Sequence, residues 1–69
     1  MAKYKDLQDL RYQNGRISQR EMADKIGISE GAYSLIERGK RVGSRKTWLK
    51  IQTLFKLKDD EVWRLQNHK

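Results

Sequence analysis

The chain contains no cysteine, no proline and a single histidine in 69 residues. Without cysteine it can form neither disulfides nor thiolate metal sites, and a reducing cytosol is its natural compartment. The one histidine, His68, sits at the C-terminal edge of the sequence, and the carboxylates are scattered or grouped at helix starts. No paired nucleophile and base can be assembled from this inventory, so neither an enzyme nor a metal or cofactor site is expected. No apolar run approaches the roughly 18 residues of a membrane span. The opening Met1-Ala2-Lys3-Tyr4-Lys5-Asp6 lacks the apolar stretch of a signal peptide. With no internal repeat and no low-complexity linker, the expectation is one soluble, cytoplasmic domain over residues 1–69, near the lower size at which a core alone sustains folding.

Charge is abundant but unevenly placed. Residues 1–37 balance basic and acidic groups, whereas 38–58 hold Arg38, Lys40, Arg41, Arg45, Lys46, Lys50, Lys56 and Lys58 with no acid, so the net +7 arises in the middle of the chain. A localised basic segment is an electrostatic footprint for a polyanion, of which DNA is the simplest. The bland alternative, a solvated basic face such as small soluble domains often carry, is the lesser reading. A basic amphipathic membrane binder fits poorly, because these cations straddle a glycine-broken loop, Gly39 to Gly43, rather than lining one helix opposite an apolar face.

The apolar pattern is helical throughout, and no useful length alternates with a period of two. Five helices are predicted. The first runs from about Lys3 to Asn14 with Tyr4, Leu7 and Leu10 inward and Asn14-Gly15 as terminator. The second and third span about 18–26 and 29–38. Ser44 caps a fourth, with Trp48, Ile51, Leu54 and Phe55 inward; Asp59-Asp60-Glu61 open a fifth, with Val62, Trp63 and Leu65 closing the bundle. The fold class is therefore all-α, a compact five-helix bundle.

The most informative stretch is Ser18-Gln19-Arg20-Glu21-Met22-Ala23-Asp24-Lys25-Ile26-Gly27-Ile28-Ser29. Ser18 with Glu21 makes a capping box, Met22, Ala23 and Ile26 share a face, and Gly27 ends the helix with positive φ. Ile28 plugs the turn, Ser29 caps the next helix, and Tyr33 and Ile36 continue the apolar face until Gly39. Two short helices joined so tightly cross at a steep angle, which leaves the outer face of the second free to enter a groove.

These residues, with Ser34, Ile36, Glu37 and Gly39 after them, Leu10-Arg11 upstream and Trp48, Leu49, Ile51 and Leu54 downstream, resemble the Cro/CI-type, lambda repressor-like helix-turn-helix family. The resemblance covers about residues 5–66, with the helix-turn-helix at about 18–38. In size it is similar to small phage regulators such as Cro and the modulators of repression that work beside a CI repressor. The resemblance implies a glutamine, here Gln19, bonding a DNA phosphate at a helix N-terminus, and an Arg11–Glu37 ion pair of structural role.

With Tyr33, Ile36 and Glu37 inward, the third helix turns Gly31, Ala32, Ser34, Leu35 and Arg38 outward, with Glu30 near its start. This face is poor in base-reading donors: Ala32 and Leu35 offer only apolar contact to thymine methyls, and Ser34 and Arg38 supply the polar groups. Two functions follow. In one, the chain is a regulator of operator DNA, with Gln19, Lys40, Arg41 and Arg45 on phosphates and Ser34, Leu35 and Arg38 in the major groove, working as a dimer or on clustered sites. In the other, the small apolar face of the third helix docks on the DNA-binding domain of a CI-type repressor, making the chain an anti-repressor. Neither involves a membrane or a small-molecule substrate.

Overall fold

The first helix is set by a side chain rather than by the start of the chain. In the computed structural model, which describes residues 4–67, Asp6 accepts a hydrogen bond from the Asp9 backbone at 2.8 Å and starts α1 at Leu7. Helix α1 is Leu7–Gln13, so the predicted start near Lys3 is too early: Lys3 lies outside the described residues, and Tyr4 to Asp6 precede the helix. An aspartate that caps holds extended backbone at its own position and stops the helix propagating backward. Tyr4 is nevertheless buried, as its place in the apolar pattern requires.

The other helices are α2 (Gln19–Ile26), α3 (Glu30–Glu37), α4 (Arg45–Phe55) and α5 (Asp59–Gln66), and the described residues contain no strand. Ser18, Ser29 and Ser44 each accept from the backbone N–H three residues on, at 3.0 to 3.1 Å. Each hydroxyl satisfies a donor that the first turn leaves without an intrahelical partner, which is why all three helices begin at a serine. Between α2 and α3, Gly27 takes φ +76°, and Ile28 donates back to the Ala23 carbonyl at 3.0 Å. The turn is thereby closed within three residues.

The core gathers Leu7 and Leu10 from α1, Met22, Ala23 and Ile26 from α2, Tyr33 and Ile36 from α3, Trp48 and Ile51 from α4 and Leu65 from α5. Ile28, Phe55 and Val62 are partly buried against it. Two expected core members are on the surface instead: Leu54 is 46% and Trp63 64% exposed. Leu57, in the turn between α4 and α5, is buried in their place. Lys56 ends α4 in the left-handed region at φ 53°, and Leu57 then donates to the Gln52 carbonyl at 3.0 Å. A left-handed cap of this kind folds the next apolar residue back onto the helix that has just ended. No glycine marks the position, so the sequence carries little sign of it.

Candidate nucleic-acid interface

Arg11 organises the site from behind. It is only 6% exposed, and its guanidinium makes a fork to Glu37, Nε to Oε2 at 2.9 Å and one terminal nitrogen to Oε1 at 2.8 Å, while the other terminal nitrogen donates to the Ile17 carbonyl at 2.8 Å. The pair joins α1 to the C-terminal turn of α3, and the Ile17 bond ties in the segment that leads to α2. Burial pushes the Glu37 carboxyl upward, but the bonds from Arg11 and the neighbouring polar groups outweigh it and hold the carboxyl below its ordinary value. The bond to Glu37 correspondingly raises Arg11. The Tyr33 hydroxyl is buried beside the pair without a hydrogen bond of its own. Burial first, and then the polar contact with the Glu37 carboxylate and its charge, push it far above the usual tyrosine range.

Gln19 joins the same network. Its amide nitrogen donates to Glu37 Oε1 at 3.1 Å, so the first residue of α2 is fixed to the last residue of α3. An amide nitrogen carries two hydrogens, and one remains for an external acceptor. The buried ion pair and the half-buried glutamine are one device.

The outer face of α3 shows Glu30, Gly31 and Arg38 exposed, Leu35 at 37% exposure, and Ala32 and Ser34 half-buried. At its C-terminal end the backbone folds back: the Leu35 carbonyl accepts from Lys40 at 2.9 Å and from Arg41 at 3.2 Å. These bonds hold the cationic loop against the end of α3 although its side chains are exposed. Farther on, the Trp48 indole N–H donates to the Val42 carbonyl at 2.7 Å. Gly43 sits at φ +88°, where a Cβ would come within 3.1 Å of both Ile36 Cδ1 and Trp48 Nε1. Only glycine meets both demands, the positive φ and the close approach. The loop therefore has a defined path to Ser44, after which Arg45 is exposed in the first turn of α4.

The structure thus ties Gln19 to Glu37 at the end of α3 and the backbone of Lys40 and Arg41 to Leu35 on its outer face, next to Arg38, with Arg11 bonded to Glu37; among the described residues no bond ties Arg45, exposed in the first turn of α4, to this group. The sequence reading gave no special role to Lys25, Lys46 or Lys50 individually. Lys46 and Lys50 are four residues apart on α4 and share a face, and Lys50 Nζ would lie 3.2 Å from a Cβ at Gly27. Their helical spacing was the available signal; Lys25, which lines a groove with them, gave none. His68 lies outside the described residues. Among the described residues, no group of three or more acidic or histidine side chains is placed to hold a metal, and no helix is long and apolar enough to cross a membrane.

No curated protein and no solved structure matches the chain significantly. A family model described as helix-turn-helix matches residues 9–62, which takes in the network, the turn and the basic loop. That family is one of DNA-binding regulators, generally without enzymatic activity. By its helical pair, its five-helix frame and this match, the chain belongs to the Cro/CI-type helix-turn-helix family.

Proposed function

We propose that this chain is a small phage-type transcriptional regulator that binds operator DNA, with α3 in the major groove. One observation carries the reading: the exposed side of α3 ends in a cationic loop whose backbone is bonded to the carbonyl of Leu35, a residue of that same face. A helix that enters the groove in this pose brings Lys40, Arg41 and Arg45 to the flanking phosphates. Gln19 donates to a phosphate at the start of α2, and Ser34, Leu35 and Arg38 meet base edges, with Leu35 suited to a thymine methyl. The residues 1–69 act as a single domain in the host cytosol or nucleoid. So few base contacts supply modest discrimination, so paired half-sites about one helical turn apart, occupied by two copies, provide the rest.

The donor-poor face, with Glu30, Gly31, Ala32 and Leu35 outward, favours a second reading, in which α3 docks on the DNA-binding domain of a CI-type repressor. Selection of duplexes from a random pool, followed by binding titrations over a range of salt, separates the two. Operator binding requires an enriched sequence that binds at least about a hundredfold more tightly than random duplex. Its affinity must fall steeply with salt, and Arg45→Ala should reduce the log–log slope by about 1. Equal affinity for every duplex defeats the operator reading.

A further inference from the structure

A second surface lies apart from α3. Leu49, 51% exposed, and Leu54, 46% exposed, line a shallow groove of about 390 Å³ together with Lys25 at the end of α2 and Lys46, Lys50 and Thr53 of α4. The α4 members follow one another at alternating spacings of three and one residues, a single helical stripe beside the buried stripe of Thr47, Trp48 and Ile51. The Thr53 hydroxyl donates to the Leu49 carbonyl at 2.9 Å, so this polar group is satisfied within the helix. The floor is apolar, the frame is three ammonium groups, and no acid lines the groove.

We propose that this groove is a docking site for an acidic amphipathic helix of a partner protein. Two exposed leucines call for apolar anchors, and three lysines with no acid among the lining residues call for carboxylates flanking those anchors. From Lys46 to Leu54 the groove runs about 12 Å at the helical rise, which fits two turns of a partner helix with anchors at i and i+3 or i+4. A second copy of this chain is a poor occupant. Two such grooves face to face would bring six ammonium groups together, and of the three acids at the start of α5 two are engaged within their own chain, Asp59 accepting from Gln52 at 2.8 Å and Glu61 from the Lys58 backbone at 3.0 Å. Nucleic acid is also disfavoured, because phosphates gain nothing from a leucine floor. Since α3 contributes none of the lining, the groove is distinct from the outer face of α3.

The test uses the full chain and three labelled synthetic peptides of about 14 residues, long enough for the two turns the groove spans. All have the same helical leucine spacing, one flanked by glutamates, one by lysines and one by glutamates with the leucines replaced by serine. The expected result is saturable binding of the acidic leucine peptide, at least about tenfold tighter than either control at low salt. Amide shifts should be confined to α4 and the end of α2. Leu49→Ser and Lys50→Ala should each weaken the peptide about tenfold while leaving the helical circular dichroism and the DNA salt slope unchanged. Four outcomes overturn the proposal: no saturable binding, equal binding of the lysine peptide, shifts mapping to α3, or a DNA salt slope that falls with Lys50→Ala. Concentration-dependent sedimentation abolished by Leu49→Glu would assign the groove to self-association and overturn it as well.

Discussion

Gln19 and Glu37, eighteen positions apart in the chain, are joined by a 3.1 Å hydrogen bond from the Gln19 amide to Glu37 Oε1. The bond couples the start of the supporting helix to the end of the helix that faces outward. It also holds in place a neutral donor with a second hydrogen to give. Under the DNA reading, Gln19→Ala should weaken operator and random duplex alike, on the order of tenfold, because a hydrogen bond to a charged group is worth about 1.5 to 3 kcal/mol. The salt slope should stay constant, since no cation has been removed. A selective loss for operator alone would mean that Gln19 reads sequence rather than phosphate.

Arg11→Met should be among the most destabilising single changes in the chain. It leaves the Glu37 carboxylate, 10% exposed, without its fork of bonds, and stranding a buried charge costs roughly 3 to 5 kcal/mol. The double variant Arg11→Met with Glu37→Leu removes both charges and should recover most of that loss. Urea titrations of the two variants measure the difference directly. A double variant no more stable than the single one would show that the arginine acts through packing alone.

The same pair sets an acid limit on stability. Because the folded state holds the Glu37 carboxyl below its ordinary value, the unfolded chain binds a proton first as pH falls. The stabilisation from this group is therefore complete above the unfolded carboxylate value, near pH 4.3 to 4.5, and is lost as pH falls through the folded one. Midpoints of urea unfolding between pH 7 and pH 2.5 should decline over that window. Glu37→Gln should start lower at neutral pH and show a shallower decline. Parallel curves for the two proteins would place the acid sensitivity elsewhere.

Two glycines should respond in opposite senses. Gly43→Ala combines a positive φ with a Cβ 3.1 Å from Ile36 Cδ1 and Trp48 Nε1. It should cost more than about 1 kcal/mol, a fall of roughly 4 to 8 °C in Tm for a domain of this size. Gly31 lies inside α3 with nothing within 4 Å of a built Cβ. Gly31→Ala should stabilise by up to about 1 kcal/mol through helix propensity. If Gly31→Ala gains stability yet loses its ligand, the bare backbone at that point is part of the contact surface.

These residues also show how far the sequence alone reaches. The serine caps, Gly27 and the spacing of Met22, Ala23, Ile26, Tyr33 and Ile36 are local rules, and each placed its element correctly. Leu54, Trp63 and Leu57 escaped because a stripe of helical apolar residues is wider than the core it faces. Which edge is buried depends on the rotation of the helix, and here the left-handed cap at Lys56, unmarked by glycine, turns Leu57 inward. The Arg11–Glu37 pair came from family resemblance, whereas the Gln19 bond to the same carboxylate is a tertiary contact that no spacing rule encodes. Of the Lys25, Lys46 and Lys50 frame only the helical spacing of Lys46 and Lys50 was legible, since the sequence does not tell which cations converge from two helices.

Leu35 is where the two readings of α3 part. At 37% exposure it is an apolar side chain on the outward face whose own carbonyl anchors the basic loop. If α3 lies in the major groove, Leu35→Ala removes a contact to a thymine methyl. Operator affinity should fall by about 1 kcal/mol or somewhat more, and the preference at one base pair should relax, while binding to random duplex is unchanged because phosphates hold it. If α3 instead docks on another repressor, Leu35→Ala leaves every DNA titration unaltered, and Leu35→Asp abolishes co-purification with that repressor without loss of helical circular dichroism. Both variants keep the backbone bonds from Lys40 and Arg41, so the loop stays in place and the cationic contribution is constant across the series. A change confined to one base-pair position therefore reports the side chain itself, and that is the measurement on which the groove-binding assignment of α3 stands or falls.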